Sequence, residues 1–290
     1  MCDENDFAEW DRAGLTRRGF TLLGGAAALV ACTGMSQSEA EESGLVEQNV
    51  SITMADGTND AFFVHPGSGK HPAVILWPDI ASLREVKKMM ARRLAAEGYA
   101  VLVPNPYYRD STAPQFADFA DFRANGGFEK VGPWRAKFNA ESVGSDAKAL
   151  VAWLDAQAAV DTSRGIGNQG YCMTGPFTVW SAAAVPDRIK AAASFHGGGL
   201  VRAGEPTSPH AMLGQTQASF LFAIGRNDDS RQPEAKTELA KAAKETGRPA
   251  EVEVYPADHG WTVADITPVY DKAEAERAWS ALLKLYTAAL

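Results

Sequence analysis

Three side chains in separate parts of the sequence are of the types that carry out nucleophilic chemistry. Cys172 lies in Gly-Tyr-Cys-Met-Thr-Gly, Asp228 in Gly-Arg-Asn-Asp-Asp, and His259 in Ala-Asp-His-Gly-Trp. A cysteine attacks as its thiolate, and because an unperturbed thiol is mostly protonated at neutral pH, it needs a base and a favourable local charge. A histidine oriented by a carboxylate is such a base. Together these residue types would allow attack on a carbonyl carbon.

Each of these side chains follows a short run that predicts a buried strand, and the runs are at 165–168, 219–224 and 251–255. Because the carboxyl ends of parallel strands meet at one edge of a sheet, the three side chains would lie close together. Cys172 would then sit in a sharp turn before a helix at 175–184, whose N-terminus favours a thiolate. Asp229 and Asp258 compete for the acid role, and Asp228 is preferred because it comes first after its strand.

The alternation of strands and helices predicts the fold. Parallel strands joined through helices require right-handed crossovers, and the result is a three-layer α/β sandwich with a mainly parallel central sheet. Alternating runs on either side of Asp56-Gly57 predict a hairpin at one edge. Residues 105–139, rich in Pro, Tyr, Phe and Gly, predict an irregular excursion over the carboxyl edge. The predicted strands are 50–54, 61–64, 73–77, 100–104, 165–168, 191–195, 219–224 and 251–255, and the predicted helices are 83–97, 140–158, 175–184, 231–246 and 272–289.

The composition limits the class of protein. The chain has 290 residues, of which 46% are hydrophobic and 22% charged, and this is enough for one α/β domain, predicted over 45–290. Its net charge of −8 argues against nucleic acid as a partner, because phosphate binding needs concentrated Lys and Arg. The 5 histidines lack the spacing of zinc sites, so neither a metal nor another cofactor is expected.

Residues 1–35 predict a targeting segment rather than a part of the fold. Arg17 and Arg18 precede an apolar stretch that is too short to span a membrane, and the pattern is similar to a twin-arginine export signal. The stretch ends in Leu-Val-Ala-Cys32, which resembles a lipobox with Cys32 as the lipidated residue. The polar residues 36–44 predict a tether. We expect export through the twin-arginine machinery to the periplasm or cell envelope, with a lipid anchor at Cys32, and a frayed tail is the alternative.

The three loops, in the order Cys172, Asp228 and His259, are similar to those of the dienelactone hydrolase family within the α/β hydrolases. The family pattern Gly-Tyr-Cys-x-Gly-Gly resembles residues 170–175, in which Thr174 replaces one glycine. The resemblance covers the whole predicted domain. It implies a hydrolase that cleaves a small lactone or carboxylic ester through a cysteine nucleophile, a Cys-Asp-His triad and an acyl-enzyme, without a cofactor.

The same resemblance implies roles for residues outside the triad. Asp79 stands where the family has a glutamate that holds and activates the thiol. The backbone N–H groups of Ile80 and Met173 would form the oxyanion hole, which stabilises charge on the carbonyl oxygen. Arg109 stands where the family binds a substrate carboxylate, but the second arginine that some members carry has no counterpart in 260–263. A diene lactone is therefore not predicted as the specific substrate.

Several of these residues also have simpler interpretations. Cys172 alone could be an inert buried thiol. His196, which follows another predicted strand, is interpreted as structural or as a pocket wall. Arg109 could be solvated or paired with Asp110, and Asp79 could cap the next helix. The aromatic residues of the excursion are expected to anchor it to the core.

Other functions are alternatives to the lactone or ester hydrolase. A general carboxylesterase of envelope esters would keep the fold and the chemistry. A non-catalytic ligand-binding protein would keep only the scaffold, with Thr174 and Asp79 as signs of lost chemistry. A thiol redox sensor is least favoured, because the predicted domain contains no second cysteine that could pair with Cys172.

Overall fold

Six strands form the parallel part of the sheet. The computed structural model of the protein describes residues 44–290. Its strands are β1 (Leu45–Met54), β2 (Gly57–Pro66), β3 (Ala73–Trp77), β4 (Ala100–Pro104), β5 (Ile166–Tyr171), β6 (Ile189–Phe195), β7 (Ser219–Gly225) and β8 (Ala250–Tyr255). Their order in the sheet is β1-β2-β4-β3-β5-β6-β7-β8. Strands β3 to β8 pair in parallel, whereas β2 pairs antiparallel with both β1 and β4.

Helices cover both faces of this sheet. They are α1 (Glu85–Ala96), α2 (Phe119–Ala124), α3 (Gly127–Arg135), α4 (Ala140–Asp155), α5 (Gly175–Ala184), α6 (Pro209–Met212), α7 (Arg226–Arg231), α8 (Ala235–Glu245) and α9 (Lys272–Ala289). Val74 of β3 belongs to a hydrophobic cluster with Leu94 of α1 and Leu282 of α9. Its neighbour Ile75 points to the other face and belongs to a cluster with Leu150 of α4. The predicted three-layer α/β sandwich is confirmed.

The edge hairpin and the buried strands follow from their sequence patterns. Met54 pairs with Gly57 across the two-residue turn Ala55-Asp56, one residue earlier than a turn at the Asp-Gly dipeptide itself. Every residue of β3 and of β4 is buried. A strand that is covered on both faces has no solvent side, and this is why these segments are continuous apolar runs.

Residues 105–139 contain more regular structure than the sequence pattern predicts, because α2 and α3 lie within them. The Phe122 ring packs against the rings of Phe116 and Phe119, with centroid distances of 4.9 and 5.4 Å. Short helices are held mainly by tertiary contacts of this kind. A local apolar period does not reveal such contacts, so the sequence predicts an irregular segment.

The predicted targeting segment lies outside the described residues. This applies to Arg17, Arg18 and Cys32, and to the tether as far as residue 43. The first strand begins at Leu45, directly after the tether. Within residues 44–290, none of the helices combines the length and the apolar character needed to cross a membrane.

The turn between β5 and α5 leaves its backbone little freedom. Cys172 has a φ of 56°, in the left-handed region that residues other than glycine rarely adopt. A Cβ atom on Gly170 would lie 2.3 Å from the carbonyl oxygen of Thr174, and one on Gly175 would lie 2.4 Å from the Cα of Gly197. These close approaches of backbone to backbone require glycine at both positions.

Thr174 stabilises the same turn, although it stands where the related pattern has glycine. Its φ is −93°, so its backbone does not require glycine. Its Oγ1 accepts a hydrogen bond from the Tyr171 N–H at 2.9 Å and lies 3.1 Å from the carbonyl oxygen of Trp77, to which it can donate. The threonine therefore ties the turn to the neighbouring strand β3.

Thr174→Val is expected to lower the free energy of unfolding by about 1 to 3 kcal/mol, because the buried Tyr171 N–H and Trp77 carbonyl lose their partner. Urea unfolding of the reduced proteins, followed by circular dichroism, measures this difference. Thr174→Ser keeps the hydroxyl and serves as the control, with a smaller loss. Equal stability of Thr174→Val and wild type would contradict the assignment.

Candidate active site

Cys172 lies at the carboxyl end of β5, in the short 3-10 helix Cys172–Thr174 that leads into α5. Its side chain is almost completely buried. A strand, a left-handed turn and a helix are the parts of a nucleophile elbow. The partial positive charge at the helix N-terminus favours a thiolate. A thiolate can form only while Cys172 is in its reduced, thiol form.

An imidazole and a carboxylate meet at neighbouring strand ends. Asp228 lies in the first turn of α7, directly after β7, and not in the loop that the sequence predicts. The Nδ1 atom of His259 lies 3.0 Å from both carboxylate oxygens of Asp228. The backbone N–H of His259 also donates to Oδ1 of Asn227 at 2.8 Å. The ring is thus oriented through Nδ1, and the nitrogen that can exchange a proton with a nucleophile is Nε2.

The two competing carboxylates have other partners. Both oxygens of Asp229 lie 2.7 Å from the ammonium group of Lys236. Asp258 accepts a hydrogen bond from Arg226 at 2.9 Å. The structure therefore brings Asp228, rather than Asp229 or Asp258, to the imidazole.

The loop after β6 contacts both the Cys172 turn and His259. The Gly198 N–H donates to the carbonyl oxygen of Cys172 at 3.3 Å, and the ring of His196 packs edge-to-face on His259 at a centroid distance of 4.8 Å. Nε2 of His196 lies 3.0 Å from Oγ1 of Thr262, and Nδ1 has no hydrogen-bond partner within residues 44–290. Burial, together with the charge of the neighbouring His259, holds the pKa of His196 well below its usual value. His196 is therefore a neutral support for His259.

Tyr107 links the two segments whose amides are predicted to form the oxyanion hole. Its hydroxyl donates to the carbonyl oxygen of Ile80 at 2.9 Å and lies 3.3 Å from Sδ of Met173. Burial raises the pKa of Tyr107 well above its usual value, so the hydroxyl stays protonated. Among the turn and loop hydrogen bonds of residues 44–290, none is donated by the N–H of Ile80 or of Met173. Both amides can therefore donate to a bound oxygen atom.

Asp79 lies in a buried cluster of charges. Its carboxylate forms ion pairs at 2.8 Å with Arg84 and with Lys87, and it accepts a hydrogen bond from the Ala81 N–H at 2.9 Å. Arg84 also pairs with Asp265 at 2.7 Å. Burial alone would raise the pKa of Asp79, but the charges of Arg84 and Lys87 outweigh it and hold that pKa well below its usual range.

These contacts differ from both sequence interpretations of Asp79. Helix α1 begins at Glu85 with Arg84 at its N-cap, so Asp79 does not cap it. The partners of Asp79 found here are buried cations, and activation of the thiol by Asp79 stays a prediction. Arg84 and Lys87 could not be identified from the sequence, because cations on a helix are usually solvated.

Arg109 binds carboxylates other than those of the candidate site. Its two terminal nitrogens bind the carboxylate of Asp146 at 2.9 and 2.8 Å, and its Nε binds Asp56 at 2.8 Å. The charge of the guanidinium is therefore already matched by two carboxylates. Asp110, the partner considered from the sequence, instead pairs with Lys137.

Two adjoining cavities open beside the candidate residues. The first, called the His259 cavity, has a volume of about 90 Å³, and His259 and Asp228 are in its wall. The second, called the Met173 cavity, has a volume of about 640 Å³, with Met173 and several aromatic rings in its wall. The residues common to both walls are Gly198, Gly199 and Gln232. The two cavities thus share part of their wall, and the larger one has the size of a small-molecule site.

His196 is expected to make stability depend on pH. The unfolded chain takes up a proton on this ring near its ordinary pKa of 6.5, whereas the folded protein does not. Its depressed pKa therefore contributes stability that is fully present above about pH 6.5 and is lost as the pH falls, by up to about 1.4 kcal/mol per pH unit. Urea unfolding at about pH 7, 6 and 5 should show a steeper loss for wild type than for His196→Phe. Parallel losses in the two proteins would contradict the buried neutral ring.

Relatives of known description share most of the chain. A Salmonella typhimurium protein described as "Putative carboxymethylenebutenolidase" is 28% identical over 231 residues, which cover 78% of this chain and 81% of that protein. A Methylorubrum extorquens protein with the same description is 28% identical over 246 residues, which cover 83% and 81% of the two chains.

Solved structures share the fold. A Klebsiella pneumoniae protein described as "Putative Dienelactone Hydrolase" matches with a TM-score of 0.69 at 25% identity, covering 84% of this chain and 98% of that one. A dienelactone hydrolase-like promiscuous phosphotriesterase from metagenomic libraries has a TM-score of 0.67 at 24% identity and covers 85% and 99% of the chains, which shows likeness of fold alone. Residues 59–290 match the family model described as "Dienelactone hydrolase family". The chain therefore belongs to the dienelactone hydrolase family and is a hydrolase.

Proposed function

We propose that this hydrolase cleaves a small lactone or carboxylic ester and that Cys172 is its nucleophile. The observation that carries the proposal is the pairing of His259 with both oxygens of Asp228, beside the loop that also contacts the Cys172 turn. A thiol on a left-handed turn, an imidazole and a carboxylate are the groups that acyl transfer needs. The description of the relatives as carboxymethylenebutenolidases supports a lactone as the substrate class.

The first half of the proposed reaction forms an acyl-enzyme. In the reduced protein, Nε2 of His259 takes the proton of the Cys172 thiol, and Asp228 stabilises the resulting imidazolium. The thiolate attacks the carbonyl carbon, and the carbonyl oxygen becomes an oxyanion that accepts hydrogen bonds from the N–H groups of Ile80 and Met173. When this intermediate collapses, the carbon–oxygen bond to the alcohol breaks, and the imidazolium of His259 gives the alcohol its proton.

The second half releases the acid. His259 takes a proton from a water molecule, and the hydroxide attacks the thioester carbon. The same amides hold the second oxyanion, and its collapse breaks the carbon–sulfur bond so that Cys172 leaves as a thiolate. In a lactone the alcohol stays attached to the acyl group, so the product is a single hydroxy acid. No cofactor takes part in these steps.

Asp79 is assigned a positioning role in this mechanism. Its carboxylate is already paired with two buried cations, and separating it from either would cost several kcal/mol. Its hydrogen bond to the Ala81 N–H closes a tight turn around Ile80. The carboxylate therefore fixes the direction of the Ile80 amide, and proton transfer is left to His259.

Cys172→Ala is expected to abolish both turnover and acylation. The measurement is hydrolysis of p-nitrophenyl acetate and of a panel of enol lactones by reduced protein, with the acyl adduct detected by intact mass. His259→Asn and Asp228→Asn should lower kcat/KM by about 10³-fold or more, because the base is lost or misoriented. Asp229→Asn, which removes a neighbouring carboxylate that pairs with Lys236, is the matched control.

Two outcomes would overturn parts of this proposal. A reduced, folded wild-type protein that neither turns over nor becomes acylated would favour a ligand-binding protein on a hydrolase scaffold. Equal rates for wild type and Cys172→Ala would exclude Cys172 as the nucleophile. The ratio of kcat/KM for lactones to that for simple esters separates a lactone hydrolase from a general carboxylesterase.

We also propose that residues 1–35 direct export to the periplasm or cell envelope and that Cys32 carries a lipid anchor. The support is the arginine pair before a short apolar stretch that ends in the lipobox-like sequence. Replacing Arg17 and Arg18 by lysine is expected to retain the protein in the cytoplasm, and Cys32→Ser to release it from the membrane fraction. Cell fractionation with fatty-acid labelling tests both. Wild-type protein found unlabelled in the cytoplasm of a twin-arginine-competent host would refute export and anchoring.

A further inference from the structure

The Met173 cavity combines an apolar wall with positive charge. Its wall includes the rings of Phe138, Phe177 and Trp180, together with Arg135 and Arg202. Among the described residues, the wall contains no acidic side chain. A cavity of this kind suits a ligand with an apolar body and an anionic group.

Arg202 already has a partner for its charge. Its Nε lies 2.9 Å from a carboxylate oxygen of Glu205, which is an ion pair but, among the described residues, not a hydrogen bond of good geometry. Its guanidinium also lies over the ring of Trp180 at 5.5 Å from the centroid. The contact with Trp180 closes one side of the cavity. The charge of Arg202 is matched by Glu205, which does not line the cavity. Arg202 therefore contributes to the shape of the cavity more than to the binding of an anion.

Arg135 differs from Arg202 in this respect. It is the last residue of α3, its side chain is half-buried, and no carboxylate within residues 44–290 pairs with it. Its charge acts on Tyr107, the side chain that bonds to Ile80 and touches Met173. The unmatched cation thus lies beside the segments whose amides are assigned to the oxyanion hole.

Arg109, the arginine that the family resemblance suggests for this task, is held elsewhere by Asp146 and Asp56. All three of its hydrogen-bonding nitrogens already donate to these carboxylates. A charge-assisted pair with two parallel hydrogen bonds is among the strongest polar contacts in proteins. Two of its five N–H groups remain, but its charge is already matched by two carboxylates.

We propose that Arg135 binds a carboxylate carried by the substrate and thereby selects esters or lactones that have an apolar body and one negative charge. This inference rests on the proposed hydrolysis at Cys172 and adds the substrate class. The carboxylate would lie in the Met173 cavity while the reacting carbonyl sits at the junction with the His259 cavity. Because a guanidinium presents two parallel donors, it binds a carboxylate with a defined orientation, which a lysine does only in part.

The test compares a carboxylated ester with a neutral one. We expect reduced wild type to prefer mono-p-nitrophenyl glutarate over p-nitrophenyl butyrate in kcat/KM. Arg135→Gln should lower this preference by about 10-fold, mainly through a higher KM for the glutarate ester, because one charge-assisted contact is lost. Arg135→Lys should recover part of the preference, and added salt should weaken it in wild type but not in Arg135→Gln.

Lys130→Gln is the matched control. Lys130 lies on the same helix as Arg135, is exposed, and is not part of the wall of the Met173 cavity. The Lys130→Gln substitution removes one positive charge from the same helix as Arg135→Gln does. A general electrostatic effect on the anionic ester would therefore appear in both variants. We expect Lys130→Gln to prefer the glutarate ester over the butyrate ester as strongly as wild type does. A preference that is unchanged in Arg135→Gln, or that falls in Arg202→Gln instead, would overturn the proposal.

Binding of 4-phenylbutyrate, which cannot be hydrolysed, separates this inference from the proposed function. Calorimetry should show binding to wild type that weakens by about 10-fold in Arg135→Gln. If neither ester is hydrolysed while this binding still depends on Arg135, the proposed chemistry fails and the anion site stands. If 4-phenylbutyrate does not bind, or binds equally to both proteins, the anion site is refuted whatever the rates are.

Discussion

The left-handed backbone of Cys172 is the constraint on which the candidate site depends. A residue with a side chain in this conformation costs on the order of 1 to 3 kcal/mol, so its surroundings must impose it. Here the surroundings do so through close packing, since Gly175 of α5 lies directly against Gly197 of the loop after β6. That loop also carries His196, which touches the ring of His259. One loop therefore contacts both the turn that carries Cys172 and the ring of His259.

A buried ion pair also packs against the segment that leads into the Cys172 turn. Lys87 is fully buried, pairs with Asp79, and lies with its ammonium group 4.2 Å from the centre of the Tyr171 ring, next to Cys172 in the chain. Buried ion pairs add little net stability because desolvation offsets their attraction, but breaking one is costly. Such a cluster therefore opposes alternative arrangements of the loops more than it stabilises the folded state. Ile80 lies between Asp79 and Ala81, so the cluster also restricts the backbone around the Ile80 amide.

The sequence predicts the parts of this protein that depend on local pattern. The bounds of β3, β4, α5 and α9 agree with the predicted ranges, because buried strands and amphipathic helices carry their periods in consecutive residues. The pairing of His259 with Asp228 is also foreseen, since strand ends in a parallel sheet share one edge. The sequence does not predict the partners of Arg109 and Arg84. Asp146 and Asp265 are distant from them in the chain and meet them only in the folded protein. Arg135 lies in a segment without any regular pattern, so nothing local marks it as part of a cavity.

Arg84 has a further consequence for motion in the protein. Its guanidinium binds Asp79 and Asp265 with two hydrogen bonds each, and Asp265 also accepts a hydrogen bond from the N–H of Phe119 at the start of α2. One buried cation thus joins the turn around Ile80, the segment after His259, and the first helix of the excursion. Separating any two of these segments would leave a buried charge without its partner, which is costly. The next helix, α3, follows α2 through the left-handed Gly126, and none of the hydrogen bonds of Arg84 in the described residues reaches it.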